Sequence, residues 1–296
     1  MRGTGLHGLL AGLPDVVVVC FTILTQLGDV WFLFAVLGTL YWSGGRFPGV
    51  GRVLSRRRAA FLIALALGAL ALTTGLKALF GLPRPPGAGD PTGIALVPEV
   101  FRPLYADAAT GEGFGFPSGH ALGTTVAWGG TALLAEVGRR RDRVVIAAVV
   151  VTVVSVSRLV LGVHYLVDVV VGITVGLAYL AFVLRVGDEG ELPGRAFSIA
   201  LGVALLGLLV GGYGSETMTV LGATLGARIA WGALGERALA VESTTGYATA
   251  LLGIVVLGGG FGAVAVLDPT PYVAFLANAL VLAGVVALPL VGDIWR

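Results

Sequence analysis

His164 and Asp168 lie four residues apart, one turn of a helix and on the same face. A carboxylate at that spacing can hold the proton on one imidazole nitrogen and leave the other with a lone pair for attack. His120, in Pro117-Ser118-Gly119-His120, is a second imidazole able to protonate a leaving oxygen. Lys77 is the sole lysine in a chain with eighteen arginines. With Arg84 and Arg158 it offers three cations for the non-bridging oxygens of a phosphate, the arginines bidentately. A helix starting at Ser118 and Gly119 adds backbone N–H groups and the positive end of its dipole. The chemistry such a set suits is phosphoryl transfer, where electrostatic clamping supplies most of the acceleration. No paired carboxylates or further histidines offer a metal cage, so the cations are expected to replace a metal and no cofactor is expected. The single cysteine, Cys20, excludes an intrachain disulfide and a cysteine cluster, and reads as a small apolar residue within Val16–Leu24.

Taken singly, each of these residues has a plainer role. A lysine or arginine near a helix end can be a snorkelling anchor, Ser118 an N-cap, and an interfacial histidine structural. Asp168 is the exception, because a carboxylate inside an apolar span is costly and expects a partner. What favours chemistry is convergence, and that depends on the elements that position the set.

Those elements are membrane spans. The chain is 56% hydrophobic and only 12% charged, with a mean hydropathy of +0.94, against about 25% charge in a soluble domain. This excludes disorder, nucleic-acid binding and an ordinary cytosolic enzyme. Apolar runs predict an all-α, polytopic transmembrane bundle of seven or eight spans. The runs 14–27 and 30–42 read either as one long broken segment or, the reading preferred, as an interfacial helix over 14–26 before a span over about 28–44. Further spans follow over 59–81, 118–137, 144–161, 164–185, 196–213, 245–267 and 272–291. Residues 218–235 are marginal, because Arg228 sits inside them and the apolar stretch is short. The division expected is a catalytic core over 1–185 and additional helices of unassigned role over 186–296.

Arginine-rich loops 45–58, 138–143 and 185–195 fall on one side of this arrangement, which the positive-inside rule makes cytoplasmic. The long loop 82–116 is then external. Alternating helix direction brings Lys77, Arg84, Ser118, His120, Arg158, His164 and Asp168 to that same external face. Independent anchors would have no reason to meet there. Loop 82–116 is too long for a connector, and loops of that length are usually functional or disordered. Gly172 and Gly176, four apart, predict close helix packing.

Lys77-x6-Arg84-Pro85, Pro117-Ser118-Gly119-His120 and Ser157-Arg158-x5-His164-x3-Asp168 together resemble the tripartite signature of the type 2 phosphatidic acid phosphatase superfamily. The resemblance covers roughly residues 14–185, and Leu27-Gly28-Asp29 is similar to the segment preceding the first motif in many members. It implies that His164 forms a phosphohistidine, that Asp168 orients it, and that His120 is the general acid and later activates water. Lys77, Arg84, Arg158, Ser118 and the Gly119 backbone would bind the phosphate, without metal. The expected protein is thus a multi-pass cell-membrane lipid phosphatase with its site on the external side. Its partners would be membrane lipids and a lipid phosphate substrate: phosphatidic acid, phosphatidylglycerol phosphate or a polyprenyl diphosphate. A lipid phosphotransferase using the same histidine, and a non-catalytic transporter or scaffold, are the alternatives; a soluble vanadium haloperoxidase shares the signature but not these spans. Oligomeric state is not legible in the sequence.

Overall fold

The computed structural model describes residues 12–47, 51–241, 253–267 and 269–294, with the isolated residues 10 and 251. It is helical almost throughout. In chain order the helices are α1 (Asp15–Thr25), α2 (Val30–Trp42), α3 (Arg56–Phe80), α4 (Arg102–Ala109), α5 (Gly119–Leu134), α6 (Arg140–Val160), α7 (Leu166–Val186), α8 (Pro193–Gly211), α9 (Ser215–Ala240), α10 (Gly259–Leu267) and α11 (Pro271–Ile294). A two-residue antiparallel hairpin, β1 (Arg46–Phe47) with β2 (Gly51–Arg52), joins α2 to α3.

Helix α3 is the axis of the bundle. Its apolar window is 72% buried, against 28–39% for the other long apolar helices. Alanine and glycine along α3 explain this, because small side chains let neighbouring backbones approach closely. Gly75 meets the backbone of Gly207 in α8, and Gly68 meets Ala200 of α8 and Tyr179 of α7. The outer helices turn large apolar side chains outward, among them Ile146 and Val149 on α6, Leu177 and Phe182 on α7, and Leu206 and Leu209 on α8. A belt of this kind is what contact with lipid requires.

Five helices are long and apolar enough to cross a membrane: α3, α6, α7, α8 and α11 through Val291. A bent pair, residues 15–28 with 30–42 at 44°, makes a sixth. Among the described residues the count is therefore five or six, where the sequence led us to expect seven or eight. The helix expected over 14–26 is α1, which meets α2 at this bend. The break has a local cause: Asp29 is extended (ψ 148°) and its carboxylate caps the new helix, accepting from Trp31 N at 3.4 Å. The span expected over 118–137 is the 16-residue α5, which begins only after the long loop. Residues 218–235 lie within the 26-residue α9, half of whose side chains are buried inside the bundle, and Arg228 donates from Nε to Ser198 Oγ at 2.9 Å. Gly222 and Gly226 let α9 sit against the backbone of Phe275 and Ala279 in α11. The span expected over 245–267 lies partly outside the described residues; the described part is a π-helical turn (Ile254–Gly258) followed by α10.

The C-terminal helices are tied to the N-terminal ones by polar bonds. Tyr41 Oη donates to Val286 O and Trp42 Nε1 to Val285 O, both at 2.9 Å. The buried guanidinium of Arg56 bonds Tyr41 O at 3.2 Å and Ala238 O at 3.1 Å, and also reaches Val241 O. The basic loops gather at this end: Arg58 pairs with Glu136 at 3.4 Å and with Glu191 at 3.0 Å. The long polar loop lies at the opposite end, with Lys77 in the last turn of α3 and Gly81 (φ +57°) closing that helix in the left-handed conformation glycine permits.

Candidate active site

At the Lys77 end of the bundle lies a cavity of about 430 Å³. Lys77, Arg84, Gly119, His120, Arg158 and His164 all line it, so six of the eight candidate residues share one space. The other two lie behind it. Asp168 is fully buried and backs His164, while Ser118, also fully buried, caps α5 by accepting from Ala121 N at 3.5 Å. The hydroxyl of Ser118 thus serves the helix start, and the Gly119 end of that helix is what borders the cavity.

Close packing puts these groups in register. A Cβ on Gly172 would come within 2.7 Å of Ser118 O, and one on Gly176 within 3.0 Å of Leu122 O. Their absence lets α7 press against the start of α5, where Ser118 N donates to Asp168 O at 2.9 Å. Gly119 in turn abuts Thr73 of α3, at 2.9 Å from a would-be Cβ. One layer of small residues therefore brings together the three helices that supply Lys77, His120 and Asp168.

His164 stands in the turn between α6 and α7. Its Nε2 is 3.2 Å from Arg84 Nη1, and its Nδ1 is 3.5 Å from Asp168 Oδ2. A guanidinium can only donate, so Nε2 must accept, which assigns the ring proton to Nδ1 on the Asp168 side. Asp168 is itself fixed, its Oδ2 accepting from Tyr165 N at 2.9 Å. The separation of 3.5 Å is long for a hydrogen bond and within the reach of an ion pair.

Loop 82–116 folds back over this site instead of hanging free. Arg84 donates from Nε to Glu112 O at 2.9 Å and from Nη1 to Val163 O at 3.0 Å. Gly111 N bonds Ala88 O at 2.9 Å and Gly115 N bonds Leu82 O at 2.8 Å. Any side chain at Gly111 would strike the Arg84 guanidinium, at 2.7 Å. Arg158 Nη1 reaches Ala108 O at 3.4 Å and Thr25 Oγ1 at 3.2 Å, so the loop and the α1 end share a cation.

Burial pushes the His164 imidazole well below the ordinary histidine range, and Arg158, Arg84 and Lys77 push it the same way by opposing a further positive charge. Burial also lowers Arg84, with Asp168 and Glu216 acting in the opposite sense. For a histidine with a depressed folded-state value, the unfolded chain takes up a proton first as pH falls. Its contribution to stability is therefore lost below the unfolded value near 6.5, while the folded imidazole stays neutral. The acid limb of kcat/KM, corrected for the second ionisation of the substrate phosphate, should lie below about pH 6.5. A limb at or above that value would mean that His164 does not govern it.

Two comparisons with known proteins give a match. The family model described as PAP2 superfamily matches residues 58–190, which include Lys77, Arg84, the Ser118–His120 turn, Arg158, His164 and Asp168. Across that segment the chain is similar to the PAP2 superfamily. It is also 33% identical over 97 residues to phosphatidylglycerophosphatase B of Bacillus subtilis (strain 168), an alignment covering 31% of this chain and 47% of that protein. The chain thus spans about half the length of this curated relative. No solved structure matches it.

The cavity extends beyond the PAP2 segment. Gly28 and Asp29 from the break between α1 and α2 line it, as do Glu216, Thr219 and Val220 from α9. None of these is among the residues the sequence marked for chemistry. Asp29 could have been found by the reasoning that isolated Asp168, since it too is a carboxylate within an apolar run. Glu216 carried no such signal, because α9 reads as an ordinary polar-edged helix until its first turn is seen beside Lys77 and Arg84.

Proposed function

We propose that this protein is an integral membrane lipid phosphatase that hydrolyses a phosphomonoester or diphosphate on a lipid through a phosphohistidine, without metal. The observation that carries the reading is His164, whose Nε2 accepts from Arg84 while its Nδ1 faces Asp168, at the wall of a cavity shared with Lys77 and Arg158. Nε2 attacks phosphorus as the bond to the leaving oxygen breaks, and His120 supplies the proton that oxygen needs. Water then attacks the phosphohistidine, His120 takes its proton, and inorganic phosphate leaves. Lys77, Arg84, Arg158 and the Gly119 end of α5 offset the negative charge on the phosphoryl oxygens in both steps.

A lipid substrate is supported by the rest of the cavity wall, where Leu33, Phe34, Ala66, Leu70 and Val220 present apolar surface next to the cations. Phosphatidic acid, phosphatidylglycerol phosphate and polyprenyl diphosphates all combine a phosphate with an apolar tail. The relative's name makes phosphatidylglycerol phosphate the first to try. The three arginine-rich loops at the opposite end support an external site in the cell membrane. A phosphotransferase is the second reading, favoured by the folded loop over Arg84 and Arg158, which could keep water from the intermediate.

The test is phosphate release from each of the three lipids by the purified protein in detergent. Release should persist in EDTA and be inhibited by orthovanadate, a mimic of pentacoordinate phosphorus. Loss of release in EDTA would overturn the metal-free mechanism. Phosphate delivered to an added alcohol in preference to water would establish the transferase.

A further inference from the structure

The catalytic set so far contains one histidine–carboxylate pair, but the structure holds two. His120 Nε2 lies 3.6 Å from Asp29 Oδ2, and both side chains line the cavity. We infer that Asp29, at the break between α1 and α2, is a positioning residue that holds the His120 ring and stabilises its protonated form for donation to the leaving oxygen. The inference rests on the phosphatase reading and extends it to a residue outside the PAP2 segment.

The break is built to deliver this carboxylate. Gly28 is pressed into a groove between α5 and α6, where any side chain would overlap Thr124 and Val154. Trp128 of α5 donates from Nε1 to Leu27 O at 2.9 Å. On the other side, Thr25 Oγ1 accepts from Arg158 at 3.2 Å. These three ties fix residues 25–28 against the two helices that carry His120 and Arg158, and Asp29 follows with its position set. Its two oxygens have separate partners: Oδ1 takes Trp31 N at the start of α2, and Oδ2 faces His120.

The electrostatics require such a partner. An acid must hold its proton until the leaving oxygen develops charge, yet His120 shares its cavity with Lys77, Arg84 and Arg158. A protonated imidazole among three cations is costly, and a carboxylate beside it offsets that cost. The two pairs then divide the work: Asp168 keeps a proton on His164 Nδ1 so that Nε2 can attack, and Asp29 offsets part of the cost of charging His120 so that it can donate. As the P–O bond breaks, the proton passes from the His120 imidazolium to the leaving oxygen. The neutral ring then accepts a proton from the water that attacks the phosphohistidine.

The experiment compares leaving groups. An alkyl phosphate lipid leaves as an alkoxide and needs the acid, whereas an aryl phosphate such as p-nitrophenyl phosphate leaves as a stable phenolate and does not. kcat/KM is the readout, because it reports the step in which the leaving group departs. General acid catalysis contributes about 10²–10⁴-fold. Asp29→Asn should therefore lower kcat/KM on the lipid by about 30-fold or more, and on the aryl phosphate by less than about fivefold. Asparagine and serine are both good N-caps, so Asp29→Asn and Asp29→Ser retain the start of α2. His120→Ala should show the same leaving-group pattern, and adding Asp29→Asn to it should cost nothing further. Equal loss on both substrates, no loss on either, or failure of both Asp29 variants to fold would overturn the inference and leave Asp29 a helix cap. Wild-type protein that releases no phosphate from any lipid would count against the phosphatase reading itself, and is scored before the variants are compared.

Discussion

His164→Ala should purify as a folded membrane protein and lose phosphate release by about 10⁴-fold or more, the scale seen when the nucleophile of a catalytic unit is removed. The fold should tolerate the change because His164 lies in a turn, and its neighbours keep other partners. Arg84 retains Val163 O and Glu112 O, and Asp168 retains Tyr165 N. The chemistry should not tolerate it. Alanine offers no lone pair in place of the one that Asp168 and Arg84 together keep on Nε2. The check has two parts: phosphate release, and a covalent label from radioactive substrate that is acid-labile and base-stable, as a phosphoramidate is. Wild type should carry that label and the variant should not. Activity within about tenfold of wild type, or a label surviving in the variant, would remove His164 from the nucleophile's place.

Much of this site is legible in the sequence because membrane spans alternate in direction. Once α3, α6 and α7 are recognised as apolar runs, their direction alone sends Lys77, Arg158 and His164 to one end, and the arginine-rich loops to the other. The polar content of the spans is so low that each charged residue stands out. What is not legible is depth and rotation. Gly172 and Gly176 read correctly as close packing, but the sequence does not say that the surface they meet is Ser118 O and Leu122 O, the contact that sets Asp168 behind His164. The span count is less legible. α5 starts where the sequence places it but ends at Leu134, after only 16 residues, and α9 is buried by small-residue contacts that hydropathy does not see. The break at Asp29 shows the same limit: its sequence marks an interruption, and only the packing of Gly28 reveals what the interruption delivers.

Asp168→Asn should leave substrate binding nearly intact and slow turnover by about 10³–10⁴-fold, the scale seen when a triad aspartate is made an amide. Asparagine has almost the same volume, and its carbonyl oxygen can still accept from Tyr165 N, so the start of α7 and its contact with Ser118 N are retained. Both contacts fall on one oxygen, Oδ2, so the carbonyl oxygen that keeps Tyr165 N also stays opposite His164 Nδ1, but without its negative charge. The neutral amide no longer offsets the positive charge that the imidazole takes on as Nε2 is phosphorylated, and it holds the Nδ1 proton less firmly. The expected result is a kcat defect with KM within about threefold of wild type. Asp168→Glu keeps the charge but forces a longer side chain into a fully buried site, so it should damage stability more than Asp168→Asn does. A thermal melt beside the kinetics separates the two effects. If Asp168→Asn turned over at the wild-type rate, His164 would hold its tautomer without the carboxylate, and the assignment of Asp168 as its partner would be wrong.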